Sequence, residues 1–282
     1  MRVWTVLILV VVLGTVFGEI LDPSFDALKI SSTSRRSLDW NCAGLVSLEM
    51  DSLGVEVVYR TNGFIDMKSF SLSYVQSREN PEGLAGSLRI YRVYRGYNME
   101  ILGTSYDVAG SSGNVDWGLG MGLERVKDEV NPDGYYSVYV NVGVIGEYGE
   151  NLSYAFSLRK LRLWSERLDS YLLGDFGMAV SYRLDSFTAS LGVMMYEAEY
   201  FRPYLGLNLG LGPVGLGFGG EVVIRRDDLS YAPRVEGAVS FNMDRLSFGL
   251  YGGYMFGSFS DTGIAVEMVM DTVLAVYMEF GL

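Results

Sequence analysis

From about Leu53 onward, apolar residues recur at every second position. Tyr136, Val138, Val140, Val142 and Val144 alternate with Ser137, Tyr139, Asn141 and Gly143. Phe176, Met178, Val180 and Tyr182 alternate with Asp175, Gly177, Ala179 and Ser181, and Phe187, Ala189, Leu191, Val193 and Met195 continue the pattern. A period of two is the signature of a strand with one apolar and one polar face. No window after Leu53 carries a convincing amphipathic helix. Turn chemistry punctuates the runs at Thr61-Asn62-Gly63, Asn80-Pro81-Glu82-Gly83, Asn131-Pro132-Asp133-Gly134, Gly149-Glu150-Asn151, Arg226-Asp227-Asp228 and Asn242-Met243-Asp244. The pattern predicts fourteen strands: 53–60, 65–77, 84–95, 115–126, 135–147, 152–163, 172–183, 187–197, 201–211, 214–225, 231–241, 246–256, 263–270 and 272–281. Met99 to Asp107 reads as a further strand or as part of a long loop. Gly44 to Met50 is equally open, so sixteen strands are possible.

Many of these runs exceed the ~5–6 residues of an ordinary soluble strand and match the ~9–11 of a tilted membrane strand. Nearly every connection is short enough for a hairpin. An open meander of this size leaves large apolar faces and two bare edges. Closure into a ring, with the apolar set turned to lipid, removes both problems. The fold class expected is therefore all-β, a single closed antiparallel transmembrane barrel of about fourteen strands. In a soluble sandwich the same alternation points inward, and periodicity alone does not separate the two.

The start of the chain reads differently. Met1-Arg2 is followed by an almost wholly apolar run, Val3 to Val16, and Val16-Phe17-Gly18 places a small residue before Glu19. That is a secretory signal peptide over residues 1–18; an uncleaved anchor is the alternative, although the run is shorter than the ~20 residues of a spanning helix. Residues 19–52 lack strong alternation and are expected to form a plug or hatch, leaving residues 53–282 for the barrel.

If the apolar set faces lipid, the polar set faces the lumen. It contains Glu56, Arg60, Arg89, Asp116, Glu124, Asp175, Arg183, Arg202, Glu221, Arg225, Arg234 and Glu236, with Glu267 and Glu279 beyond. Such a mixture knits into ion pairs, whereas a ring of one sign suggests an ion filter. Glycines line the same face at 118, 120 and 122, at 206, 210 and 212, at 215, 217 and 219, and at 249 and 253. They offer a wall for a plug or ligand chain, or space for curvature and neighbouring Tyr rings. Tyr91, Tyr94, Tyr135, Tyr136, Tyr148, Trp164, Tyr171, Tyr196 and Tyr200 fall near strand ends, as an interfacial aromatic girdle requires.

Composition removes much chemistry. The chain has no His, so Ser-His-Asp triads, Cys-His pairs and His-ligated metals are excluded. Cys42 is the sole Cys, which excludes an internal disulfide and a thiolate zinc site. A net charge of −12 repels nucleic acid. The 18 Arg against 4 Lys favour desolvated ion pairs. Gly210-Leu211-Gly212-Pro213-Val214-Gly215 fits a dinucleotide-binding glycine pattern, but the residues after it keep the strand period where that fold needs a helix. Lys127 to Gly134 lacks the spacing of a calcium loop. No cofactor or metal is expected, and no enzymatic activity.

Between signal and first strand stands Trp40-Asn41-Cys42-Ala43-Gly44-Leu45. It resembles the Trp-Asn-Pro-Ala-Gly-Leu signature that precedes the first strand of FadL-like and PorV-like outer-membrane barrels, with Cys42 in place of Pro. Upstream the chain departs further, with Ser31 to Arg36 where that superfamily has Gly-rich and acidic residues. The resemblance implies fourteen strands and an N-terminal hatch folded into the lumen. Its functions range from uptake of hydrophobic molecules to docking of secreted proteins. The expectation is an outer-membrane barrel that passes or holds a hydrophobic small molecule, surrounded by outer-membrane lipid. The alternatives are a structural barrel that docks a protein partner through its loops, and a soluble secreted β-protein.

Overall fold

In the computed structural model, residues 41–282 are described, apart from 62–65, 79, 81, 96–98, 168–173, 197–199, 227–228, 230, 244–245 and 256–270. Fourteen strands are found among the described residues: β1 Ser52–Thr61, β2 Asp66–Gln76, β3 Ala85–Arg95, β4 Met99–Ser112, β5 Val115–Lys127, β6 Tyr135–Tyr148, β7 Leu152–Ser165, β8 Asp175–Leu184, β9 Phe187–Tyr196, β10 Tyr200–Leu211, β11 Val214–Arg225, β12 Tyr231–Met243, β13 Leu246–Met255 and β14 Asp271–Gly281. Each pairs antiparallel with its chain neighbours. β1 also pairs with β14 from Ser52↔Gly281 to Thr61↔Thr272, which closes the sheet into a barrel. Among the described residues no helix is long and apolar enough to cross a membrane.

The strand count matches the expectation, but its membership does not. Met99 to Asp107, open between loop and strand, belongs to the fully paired β4. The proposed strand 263–270 lies outside the described residues. Gly44 to Met50 is not a strand: Cys42–Ser47 form a short 3-10 helix.

The two ends of the barrel differ. At the end that holds the start of β1 and the end of β14, the connections are 77–84, 113–114, 149–151, 185–186, 212–213 and 244–245. Gly113 and Gly212 take positive φ (62° and 63°) in two of these turns, a conformation that costs other residues strain. At the opposite end the connections include 128–134, 166–174 and 256–270. Asp51 sits where the ring closes at the first end. Its carbonyl accepts from the Leu282 N–H at 2.9 Å, and its carboxylate accepts from the Ser77 N–H and hydroxyl, each at 2.9 Å.

Burial alternates as the sequence does. Along β5, Gly118, Gly120, Gly122, Glu124 and Val126 are buried, while Leu119, Met121 and Leu123 are exposed. Along β8, Asp175, Gly177, Ala179 and Ser181 are buried, while Met178, Val180 and Tyr182 are exposed. Val138, Val140, Val142, Phe176, Leu191 and Val193 lie on the outer set, none of them buried, and Asn141, Asp175 and Glu236 on the inner. The polar set thus fills the interior and the apolar set forms the outside wall. Met121 is 61% and Leu191 65% accessible. Such an apolar surface is far more than a water-soluble protein leaves bare.

Two expectations about facing are corrected. Tyr91 is not part of an outer girdle; it points inward and is buried, because it shares the phase of Ser87 and Arg89 rather than of Ile90 and Arg92. Gly212 is not on a lumenal row; it is the first residue of the β10–β11 turn. Tyr94, Tyr135, Tyr136, Tyr148 and Trp164 are at least partly exposed near strand ends. The side chains of Tyr171, Tyr196 and Tyr200 lie outside the described residues.

Candidate functional site

The most specific interior feature is the segment that enters from the N-terminal side. Asn41 caps the 3-10 helix: its side-chain oxygen accepts from the Ala43 N–H at 3.1 Å and its carbonyl accepts from the Gly44 N–H at 3.1 Å. Asn favours such caps because its short amide reaches its own backbone. The same amide has a donor end left over. It donates to the Val144 carbonyl at 3.1 Å and to the Phe156 carbonyl at 3.2 Å, on neighbouring positions of β6 and β7. One fully buried side chain therefore holds the turn together and fastens it to the wall.

The wall is cut to receive it. Gly118 and Gly143 face each other across β5 and β6. A Cβ on Gly118 would stand 2.5 Å from the Ala43 nitrogen and 2.6 Å from the Cys42 carbonyl carbon. A Cβ on Gly143 would overlap the Asn41 amide. Only glycine at both positions lets the turn lie against the sheet. Ala43 then joins Ile145, Ala155, Ala179, Met194 and Tyr204, an apolar patch running from β6 to β10. Leu45 and Val46 pack on Val75, Ala85 and Ala109 of β2, β3 and β4. Cys42 is buried, and burial, with the nearby Asp107 carboxylate, pushes its thiol pKa up. Trp40, the first residue of the motif, lies outside the described residues.

Ion-paired clusters also lie in the described interior. On the β3–β7 side the Tyr91 hydroxyl donates to Glu124 at 2.5 Å and lies 3.0 Å from the Tyr139 hydroxyl. The Lys160 ammonium pairs with Glu124 and stands 5.0 Å from the Tyr91 ring centre. Arg159 pairs with Asp175 across β7 and β8. On the β10–β12 side Glu221 is held by two guanidinium groups, Arg202 and Arg234, with the Arg202 Nε–Oε2 bond at 3.0 Å and the Arg234 Nη1–Oε1 bond at 3.2 Å. All three side chains are buried, so removal of one would strand the others.

Sequence reasoning placed Glu124, Asp175, Arg202, Glu221, Arg234 and Glu236 on the inner face, and they are buried there. Glu56, Arg89, Asp116 and Arg225 are on the same face, half-buried. Asp116 accepts from the Ser111 hydroxyl at 2.7 Å near the β4–β5 turn. Arg183 departs: it sits exposed next to the β8–β9 turn, beyond the enclosed interior. The side chains of Arg60, Glu267 and Glu279 lie outside the described residues.

Lys160 and Arg159 were missed, and with them Tyr139 and Asp107. Lys160 is left-handed (φ 52°) at an irregularity in the β6–β7 pairing, which turns two adjacent cations inward. Asn141 repairs the backbone there: its oxygen accepts from the Lys160 N–H at 2.9 Å and its amide donates to Asp107 at 3.1 Å. A signal for this was present. Leu152, Tyr154, Phe156 and Leu158 hold one phase, and Leu161 and Leu163 hold the other. A phase slip inside a strand marks a bulge.

No protein-family model and no curated protein matches the chain. Solved structures do. One is described as a Pseudomonas aeruginosa FadL homologue: TM-score 0.61, 7% identity, covering 92% of this chain and 96% of that one. Another is described as a TodX monoaromatic hydrocarbon channel, deltaS2 mutant: TM-score 0.60, 8% identity, covering 88% and 94%. At such identities the likeness is one of fold: both are similar to this chain over nearly the whole barrel.

Proposed function

We propose that the chain is a non-enzymatic outer-membrane barrel that admits a hydrophobic small molecule, with the segment from Trp40 to Leu45 as its plug. The observation that carries this reading is the seat of the turn. Asn41 fastens it to β6 and β7 through side-chain bonds to the Val144 and Phe156 carbonyls, each worth about 1 kcal/mol net. A six-residue turn lying on a glycine-smoothed wall is a unit small enough to leave its seat. The apolar patch beneath Ala43 supplies a greasy surface once it does. The apolar outer wall supports insertion in lipid, the end with the shorter turns facing the periplasm. The hydrocarbon channel in its fold neighbourhood fits the substrate class.

A docking barrel is the second reading, and the buried Arg202–Glu221–Arg234 and Arg159–Asp175 pairs favour it, since they fill interior space with fixed charge. Flux separates the two. The protein is folded into vesicles and entry of a fluorescent fatty acid is followed against protein-free vesicles. Asn41→Ala is expected to raise the rate several-fold over the parent by loosening the turn. No flux above background in the parent or in a folded Asn41→Ala variant rejects transport in favour of docking.

A further inference from the structure

Among the described residues the outer wall carries a strongly charged arc. Two parallel cross-strand rows cross it at the end with the longer connections. The first runs Tyr59↔Lys68↔Tyr94↔Glu100↔Lys127 from β1 to β5. The second, two residues further in, runs Phe70↔Arg92↔Leu102↔Arg125↔Tyr136 from β2 to β6. These positions share the outward phase of Ile90, Leu123 and Met121. The arc holds four cations and one carboxylate, in a chain whose net charge is −12.

The aromatic rings organise those cations. Lys68 stands over Tyr59 at 5.7 Å, Arg92 over Tyr94 at 4.6 Å and Arg125 over Tyr136 at 5.9 Å. Glu100 accepts from Arg92 Nε at 2.7 Å and lies 4.0 Å from the Lys127 ammonium. The adjoining 128–134 loop carries three acids: Asp128 is engaged with Asn131 and Arg167, Glu129 is exposed, and Asp133 meets Arg125 through its carbonyl, at 2.6 Å. The row immediately inward, Leu72↔Ile90↔Thr104↔Leu123↔Val138, is apolar but for Thr104. Cations thus stop where the greasy wall begins.

We propose that this arc binds the phosphate groups of an anionic glycolipid in the surrounding leaflet. The inference rests on the reading that the outer wall faces lipid. Arg92 and Arg125 are separated by one strand, about 10 Å, with Lys127 beside them on the diagonal. Guanidinium forks match phosphate oxygens, and tyrosines hold the cations at the headgroup level. Acyl chains lie along Ile90, Leu123 and Met121 beneath. The continuous apolar row is what selects a lipid phosphate over a free one.

The test uses the full barrel in detergent, with native mass spectrometry after addition of bisphosphorylated lipid A, the same lipid with its phosphates removed, or phosphatidylcholine. The bisphosphorylated lipid is expected to be retained most strongly. Arg92→Gln, Arg125→Gln and Lys127→Gln together are expected to weaken it about 100-fold, near fivefold per cation. Glu100→Gln is expected to strengthen it by freeing Arg92, and this variant keeps the test decisive if the triple variant fails to fold. Equal retention of the dephosphorylated lipid, equal retention by a folded triple variant, or no gain in Glu100→Gln each overturns the proposal. Insertion into phosphatidylcholine vesicles is measured separately: a barrel that inserts there but does not discriminate phosphates refutes the arc alone, and one that does not insert refutes the membrane reading.

Discussion

Gly118 is the residue on which the seating of the Cys42–Ser47 turn depends. Its Cα hydrogen lies where any side chain would meet the backbone of Cys42 and Ala43. Gly118→Val is therefore expected to unseat the turn while leaving β5 paired, since Val is a good strand former on a wall position. Cys42, the single thiol, reports the outcome. In the parent a bulky water-soluble maleimide should label it slowly, and in Gly118→Val quickly. The pH dependence differs too. A free thiol ionises near 8.5, so an unseated Cys42 gains close to tenfold in labelling rate per unit between pH 6.5 and 8. The seated thiol has its pKa raised by burial and stays protonated over that range, so its labelling remains slow. The sign for stability follows: the seated state holds its proton more tightly, so its advantage is intact below the free-thiol pKa and declines as pH rises above it. Rapid labelling of the folded parent, with the same slope as the variant, would overturn the proposed plug. The motif itself was legible as a string around Asn41 to Leu45; its fastening was not, because the Val144 and Phe156 carbonyls lie 103 and 115 residues away and carry no sequence identity.

At the scale of elements, β7 shows where alternation stops being a sufficient guide. Every strand on the β8–β11 side keeps one phase, and its faces are readable by counting alone. β7 changes phase at Arg159-Lys160, and the irregularity delivers Lys160 to Glu124 on the far side of β6. Which carboxylate would receive it was not readable, because that depends on the register of three strands at once. Lys160→Gly tests its worth, since glycine keeps the positive φ and deletes the ammonium. It leaves Glu124, almost fully buried, with the neutral Tyr91 hydroxyl donating to it. The expected loss is about 2–3 kcal/mol in urea unfolding from vesicles, below the range for a completely dry pair because the Lys160 side chain is 33% exposed. Adding Glu124→Gln should recover most of it. A single variant as stable as the parent would make the pair decorative.

For the whole molecule the decisive property is that the barrel is inside out. Buried Arg, Glu and Asp fill the middle, and Leu, Val, Met and Phe cover the outside. Val140 stands in the middle of the outer wall, opposite Met121. Val140→Arg is expected to cost about 2–4 kcal/mol in a bilayer. In the same assay Asn208→Ser, turned inward on β10 between the exposed Leu207 and Leu209, should cost less. Equal folding of Val140→Arg and parent in vesicles would contradict a lipid-facing wall. The ring closure and fourteen-strand order were readable from period, hairpin turns and the absence of helix. The identity of every strand was not: Met99 to Ser112 carries Gly103, Ser105 and Asp107 on its inner phase, too weak an alternation to announce β4.

The seam at Asp51 bears on the order in which the molecule is made. The ring is closed by contacts such as Ser52↔Gly281, a separation of 281 − 52 = 229 residues. The turn reaches its two carbonyl partners at separations of 103 and 115. The entropic difference between such loops is small, about 0.6 kcal/mol per doubling of length. Geometry matters more. While β14 is still missing, the sheet from β3 to β7 is an open trough, and the turn can settle into it from the side. Once Leu282 has bonded to Asp51, the same segment has to enter through a mouth. If the strands assemble in chain order, the turn is trapped under the closing strands, and its release afterwards is a separate event with its own barrier. A chain that cannot seat the turn would close over an empty trough, and adding back the peptide 38–50 after closure would fill it slowly or not at all.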